Sequence, residues 1–207
     1  LDKLDPRLAH CFGEDFGRSG DLTVIAPMAI TQQLVRQVPF LVELRNVPFK
    51  QQEQVLFFIV DRLPRLQGGA LDGRGNGQYL AEQAAERYGS IVEVIMLSQS
   101  WYLNNMPPFK AAFEDELITL PRDSQVVDDL RALQVIKGVP KLPDAKTGDS
   151  KDRHGDAAIA LAMAYYASLM DVVPIEFTPA PLPGAARQDD DSDDIDMHGF
   201  GIGGGAW

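Results

Sequence analysis

Cysteine is almost absent. Cys11 is the only one, so an intrachain disulfide is excluded and nothing points to an oxidising compartment. A thiolate zinc cage needs several Cys or His ligands, and the three histidines, His10, His154 and His198, are scattered without zinc spacing. Long apolar runs are missing too: residues 55–60 and 157–166 fall far short of the ~20 residues a membrane span needs. The opening Leu1-Asp2-Lys3-Leu4-Asp5-Pro6 carries no apolar signal stretch. A cytoplasmic setting is the expectation, and the start at Leu1 rather than Met suggests a cloned fragment or a processed product. No Gly-x-x-x-x-Gly-Lys-Ser/Thr run occurs; Lys146-Thr147-Gly148 has the wrong order and the glycine-rich loop 73–77 lacks the lysine. ATP hydrolysis is therefore not expected. No serine or cysteine elbow offers a protein nucleophile.

What is present is acid. The net charge is −11 over 207 residues, which sits badly with a nucleic-acid binder. Its distribution is uneven: residues 174–207 hold seven acids and one base, a charge of −6, and leave −5 for the body. That stretch is rich in Pro, Asp and Gly and is expected to be a flexible tail, with one domain over residues 1–173. No internal repeat is visible.

Apolar patterning outlines the domain. Residues 10–14, 22–30 and 37–47 read as three consecutive strands, antiparallel, with turn residues Arg18-Ser19-Gly20-Asp21 between the first two. Val38, Phe40, Val42 and Leu44 alternate at period two. Helical spacing of Val55, Phe58, Ile59 and Leu63 predicts a helix over 49–63. A brief run at 68–71, the loop 73–77, a helix over 78–88 and a strand over 91–97 make a parallel βαβ unit. Residues 107–117 and 123–133 read as short helices, 134–142 as a strand or half a hairpin, and 152–170 as an alanine-rich helix.

Three acids stand out by position. Asp15 ends the first strand, Asp72 ends the strand that opens the parallel unit, and Asp156 lies in the first turns of the last helix. A three-strand meander followed by βαβ makes the first and fourth strands neighbours, so Asp15 and Asp72 are expected side by side with Asp156 brought onto them. Crowded carboxylates repel, and divalent cations reverse that penalty. Hard oxygen ligands suit Mg²⁺ or Mn²⁺, and two such ions roughly 3.5–4 Å apart can drive an in-line phosphoryl displacement. Taken singly, each aspartate is ordinarily a turn former or a cap. Asp152 is an N-cap candidate on that view, or an auxiliary metal ligand, since it shares a helix face with Asp156. Asp21 has a similar secondary status near Asp15.

The segments around these acids resemble known motifs. Gly13-Glu14-Asp15-Phe16-Gly17-Arg18-Ser19-Gly20-Asp21-Leu22-Thr23-Val24 resembles the first acidic motif of the Mu-like phage terminase large subunits. Leu71-Asp72-Gly73-Arg74-Gly75-Asn76-Gly77-Gln78-Tyr79-Leu80-Ala81-Glu82 is similar to their second, and Arg153-His154-Gly155-Asp156-Ala157-Ala158-Ile159-Ala160-Leu161-Ala162 to their third. The motifs occur in the family's order, and the resemblance spans residues 9–166, loosely between 101 and 151. It implies an RNase H-like α/β fold: a mixed central sheet, three antiparallel strands then parallel βαβ, flanked by helices. It implies a nuclease domain that cuts viral double-stranded DNA with two Mg²⁺ or Mn²⁺ ions held by Asp15, Asp72 and Asp156. Related terminases often carry Glu where this chain has Asp72. Some have a histidine three residues before the third acid, whereas His154 is two before Asp156. The family's ATPase domain has no counterpart in these residues.

Candidate DNA contacts follow. Arg18 and Arg74 adjoin the first two acids and either clamp the scissile phosphate or pair with carboxylates. Lys137, Lys141, Lys146, Lys151 and Arg153 cluster before the third acid, with His154 beside them; interleaved Asp144, Asp149 and Asp152 equally describe a solvated loop. Trp101 and Tyr102 read as core or rim aromatics, or as stacking platforms for a base. The tail ends in Phe200, Ile202 and Trp207, apolar residues after a polar linker, and the resemblance implies portal or procapsid docking there. It also implies a small subunit and an N-terminal ATPase domain as partners, the host cytoplasm as the setting, and no membrane. The rival reading is a portal docking module with little nuclease activity of its own; a junction resolvase is a third.

Overall fold

The computed structural model describes residues 1–17, 22–75, 77–143 and 155–170. Strand β1 (Ala9–Asp15) pairs antiparallel with β2 (Leu22–Ile30) from Ala9↔Ile30 to Asp15↔Val24. The expected third strand is two short ones, β3 (Arg36–Gln37) and β4 (Val42–Arg45), both antiparallel to β2. Pro39 lies between them and lacks the N–H a continuous ladder needs.

Helix α1 (Phe49–Val60) follows, then β5 (Leu66–Asp72), α2 (Gly77–Tyr88) and β6 (Val92–Ile95). Both β1–β5 and β5–β6 are parallel, as the βαβ reading requires. The sheet order is β6-β5-β1-β2-β3-β7, where β7 (Ile118–Thr119) pairs parallel with β3 and β4 joins β2 off this path. On α1 the buried residues are Gln52, Leu56, Ile59 and Val60. Phe58, expected on the apolar face, is 53% exposed with the Arg62 guanidinium over its ring.

Helix α3 (Gln99–Glu114) starts eight residues before the expected 107 and runs through Pro107 and Pro108. Ser98 caps it by accepting from the Trp101 amide. Burial of Trp101, Tyr102, Met106, Phe109 and Ala112 holds the helix together across prolines that each remove a backbone donor. Helix α4 (Ser124–Arg131) begins at the Asp123 cap. Residues 134–142 form a hairpin, β8 (Gln134–Ile136) and β9 (Val139–Lys141), closed by Lys137 and Gly138, both at positive φ.

The last helix, α5 (Asp156–Ala167), has Gly155 at its N-cap position, without a side-chain cap, and starts at Asp156 rather than 152. Asp152 itself lies outside the described residues. Alanine at half of the α5 positions lets the helix lie directly on β1 and β5. A Cβ at Gly13 would overlap the Ala160 carbonyl and the Ala164 amide, and one at Gly68 would sit 2.7 Å from the Ala167 carbonyl.

Side-chain alternation gives the sheet two buried faces. Cys11, Val24, Met28 and Ala70 pack toward α3, α4 and α5, while Phe12, Ile25 and Leu71 pack toward α1 and α2. Among the described residues, no helix is long and apolar enough to cross a membrane. The expected tail, 174–207, lies outside the described residues.

Candidate active site

The register of the sheet places the first two acids. Glu14 pairs with Leu71 across β1 and β5, so Asp15 and Asp72 stand next to each other where the parallel strands end. Both share the parity of Cys11 and Ala70 and so face α5. The close Gly13 and Gly68 approaches press α5 onto that face, and its first residue is Asp156. Asp15, Asp72 and Asp156 line one cleft of about 620 Å³ together with Phe16, Arg74, Tyr102, Lys137, Lys141 and Ile159. Asp72 and Asp156 are buried.

The electrostatics follow from that crowding. Asp15 is held well above the usual carboxylate range, first by burial, then by Asp156 and Asp72, with Arg74 opposing. Glu14, on the opposite face, is 1% exposed, and its Oε1 has no hydrogen-bond partner among the described residues. Burial, then Asp72, pushes its carboxyl up to about 8. Arg74 forks onto Asp72, with Nη2 2.9 Å from Oδ2 and Nε 3.0 Å from Oδ1.

A carboxylate from a third element stabilises the start of α5. Asp129 of α4 is buried and accepts from the Ala157 amide at 3.2 Å. Gly155 has no side chain to cap with, so Asp129 serves that end of the helix. The partial positive charge of the helix N-terminus favours anions there, Asp156 included.

The donor set suits a hard divalent cation: oxygen only, largely buried, and mutually repelling. The carboxylates share a cleft rather than a finished cage. Among the described residues, no group of three or more His, Cys, Asp or Glu is arranged to hold a metal ion, and Asp72 is engaged by Arg74.

Of the sequence candidates, the structure brings together Asp15, Asp72, Asp156, Arg74, Lys137 and Lys141. Arg18, Asp21, Asp144, Lys146, Asp149, Lys151, Asp152, Arg153 and His154 lie outside the described residues. Trp101 and Tyr102 are core aromatics, each 9% exposed, and Tyr102 also reaches the cleft. Sequence reading missed Asp129 and Glu14. Glu14 has a signal, since alternation gives it the parity of buried Phe12; a cap donated across elements leaves no local spacing.

No family model matches the chain. It is 46% identical over 99% of its length to the probable terminase large subunit gp28 of Escherichia phage Mu, covering 38% of that protein. It is 42% identical over 94% of its length to the Mu-like prophage FluMu protein gp28 of Haemophilus influenzae, covering 39% of it. The chain thus spans under two fifths of the length of the curated relatives it matches. The large terminase nuclease from thermophilic phage G20c, solved with bound magnesium, is 20% identical with a TM-score of 0.64 over 78% of this chain and 82% of its own. The same nuclease has been solved with zinc and with cobalt. The chain belongs to the Mu-like phage terminase large subunits, as a segment with the RNase H-like fold of the large terminase nuclease domains.

Proposed function

We propose that this chain is a metal-dependent endonuclease that cleaves double-stranded viral DNA during genome packaging. The observation that carries the reading is the convergence of Asp15, Asp72 and Asp156, from two strand ends and one helix start, on a single cleft. Asp15, Asp72 and Asp156 hold the metal, with Asp152 as an auxiliary ligand, and the ions are two Mg²⁺ or Mn²⁺. The G20c nuclease has been solved with divalent magnesium, zinc and cobalt, which supports the cation class. Divalent cations held there supply positive charge to a phosphate under attack and lower the pKa of water.

The chain's own residues do the rest. The carboxylates accept the charge of the cations and so lose their mutual repulsion. Arg74, Lys137 and Lys141 on the cleft wall, with Arg18, Lys151, Arg153 and His154, meet the phosphate backbone of the duplex. Contacts of that kind position DNA without reading its sequence. The close seating of α5 on β1, where a Cβ at Gly13 would overlap the α5 backbone, supports a fixed geometry for the carboxylates.

The partners of the whole protein belong to the same proposal: a portal or procapsid engaged through residues 174–207, a terminase small subunit, an ATPase domain, and a setting in the host cytoplasm. Plasmid cleavage tests the reading. Supercoiled DNA is incubated with wild type or Asp72→Asn in Mn²⁺, Mg²⁺ or EDTA. Nicking and linearisation that need metal and vanish in the variant are expected. Cutting that survives in the variant overturns the assignment, and no cutting by folded wild type with either metal favours the docking-module reading.

A further inference from the structure

Arg74 holds both carboxylate oxygens of Asp72. Its Nε lies 3.0 Å from Oδ1 and 3.2 Å from Oδ2, its Nη2 lies 2.9 Å from Oδ2, and its backbone N–H donates to Oδ1 at 3.0 Å. Both carboxylate oxygens are therefore satisfied by N–H donors. The anion is enclosed and the cation is not: the Asp72 side chain is 8% exposed and that of Arg74 47%. Tyr102 of α3 lines the same cleft.

A divalent cation and this guanidinium seek the same two oxygens. Guanidinium is a planar fork that fits phosphate as well as it fits carboxylate. A phosphodiester entering the cleft offers Arg74 a second anion at the exposed end of its side chain.

We propose that Arg74 is an internal counter-cation for Asp72 that passes to a DNA phosphate, so that duplex binding and divalent-cation binding strengthen each other. The inference rests on Asp72 being a metal ligand, as proposed above. Without DNA, Arg74 keeps Asp72 neutralised and metal affinity low. With DNA, the fork moves to the phosphate and Asp72 is freed for the metal. Linkage makes the effect reciprocal: cation raises duplex affinity by the same factor. Arg74 is thus a positioning residue for Asp72 before it is a phosphate contact.

Mn²⁺ binding read by electron paramagnetic resonance of the free ion tests this without turnover. Wild type, Arg74→Ala and Asp72→Asn are titrated with and without a short duplex whose phosphorothioate linkages resist cleavage. In wild type, the duplex is expected to tighten Mn²⁺ binding about tenfold. Arg74→Ala is expected to bind Mn²⁺ more tightly than wild type when DNA is absent, and to gain little when it is added. A merely structural role for Arg74 would move affinity the other way. Equal or weaker Mn²⁺ binding by Arg74→Ala, or an undiminished duplex effect in it, overturns the coupling. If Asp72→Asn binds Mn²⁺ like wild type, the metal-ligand reading itself fails and the coupling falls with it. If Asp72→Asn loses Mn²⁺ while Arg74→Ala behaves like wild type, only the coupling fails.

Discussion

Asp15 and Asp72 close neighbouring parallel strands one residue beyond the Glu14–Leu71 pair, and both carboxylates face the helix that begins with Asp156. Folding brings like charges together here. Such a site has a cost in the metal-free protein and a gain when cation arrives.

Removing one charge should therefore stabilise the metal-free protein. Asp15→Asn is expected to raise Tm in EDTA while abolishing plasmid cleavage, because Asp15 is held well above its ordinary range by burial and by its two neighbours. For a domain of this size each kcal/mol gained moves Tm by roughly 2–4 °C. Calorimetry in EDTA checks the first half. A lower Tm would mean that Asp15 is structurally required rather than strained.

Burial of Glu14, with Asp72 adding to it, sets a pH dependence. Glu14 has its carboxyl pushed from 4.5 up to about 8, so between those values the folded state holds a proton that the unfolded state has released. Stability in EDTA is then lost as pH rises from 4.5 toward about 8. Glu14→Gln is expected to flatten that decline in Tm. An unchanged slope in the variant would assign the decline to other groups.

Much of this arrangement was legible in the sequence, for a physical reason. Asp15 and Asp72 end strands whose apolar runs are readable, and a meander followed by βαβ makes those strands adjacent whatever the side chains in between. The sequence puts Asp156 in the last helix, but local spacing starts that helix at 152 because an aspartate is a stronger cap signal than Gly155, whereas α5 begins at Asp156. Helix α3 was cut short because Pro107 and Pro108 read as a beginning, while its stability comes from Trp101 and Phe109 buried against the rest of the fold. Asp129 was invisible because it caps α5 from α4, and a contact across 28 residues has no local period.

That cap gives a further expectation. Asp129→Ala should lower stability by about 1 kcal/mol through loss of an acceptor at the α5 N-terminus. It should also reduce cleavage, because the helix turn that Asp129 caps carries Asp156. Asp129→Asn, which keeps an acceptor oxygen, should recover most of both. Equal damage by the two variants would point to charge rather than capping.

Helix placement should depend on Gly13. Gly13→Ala puts a methyl group into the α5 backbone and is expected to destabilise the fold by about 3 kcal/mol. Chemical denaturation with urea reads it directly. A change near zero would show that α5 is not seated tightly on β1.

On the proposed function, Asp15, Asp72 and Asp156 together hold the divalent cation that cleavage requires. Anomalous diffraction from crystals soaked in Mn²⁺ with a duplex tests it most directly. Manganese peaks are expected within about 2 Å of carboxylate oxygens from all three residues, with Arg74 withdrawn from Asp72. Manganese bound elsewhere, or a cleft in which Asp72 stays forked by Arg74 while metal occupies the site without it, would overturn the assignment of the three aspartates.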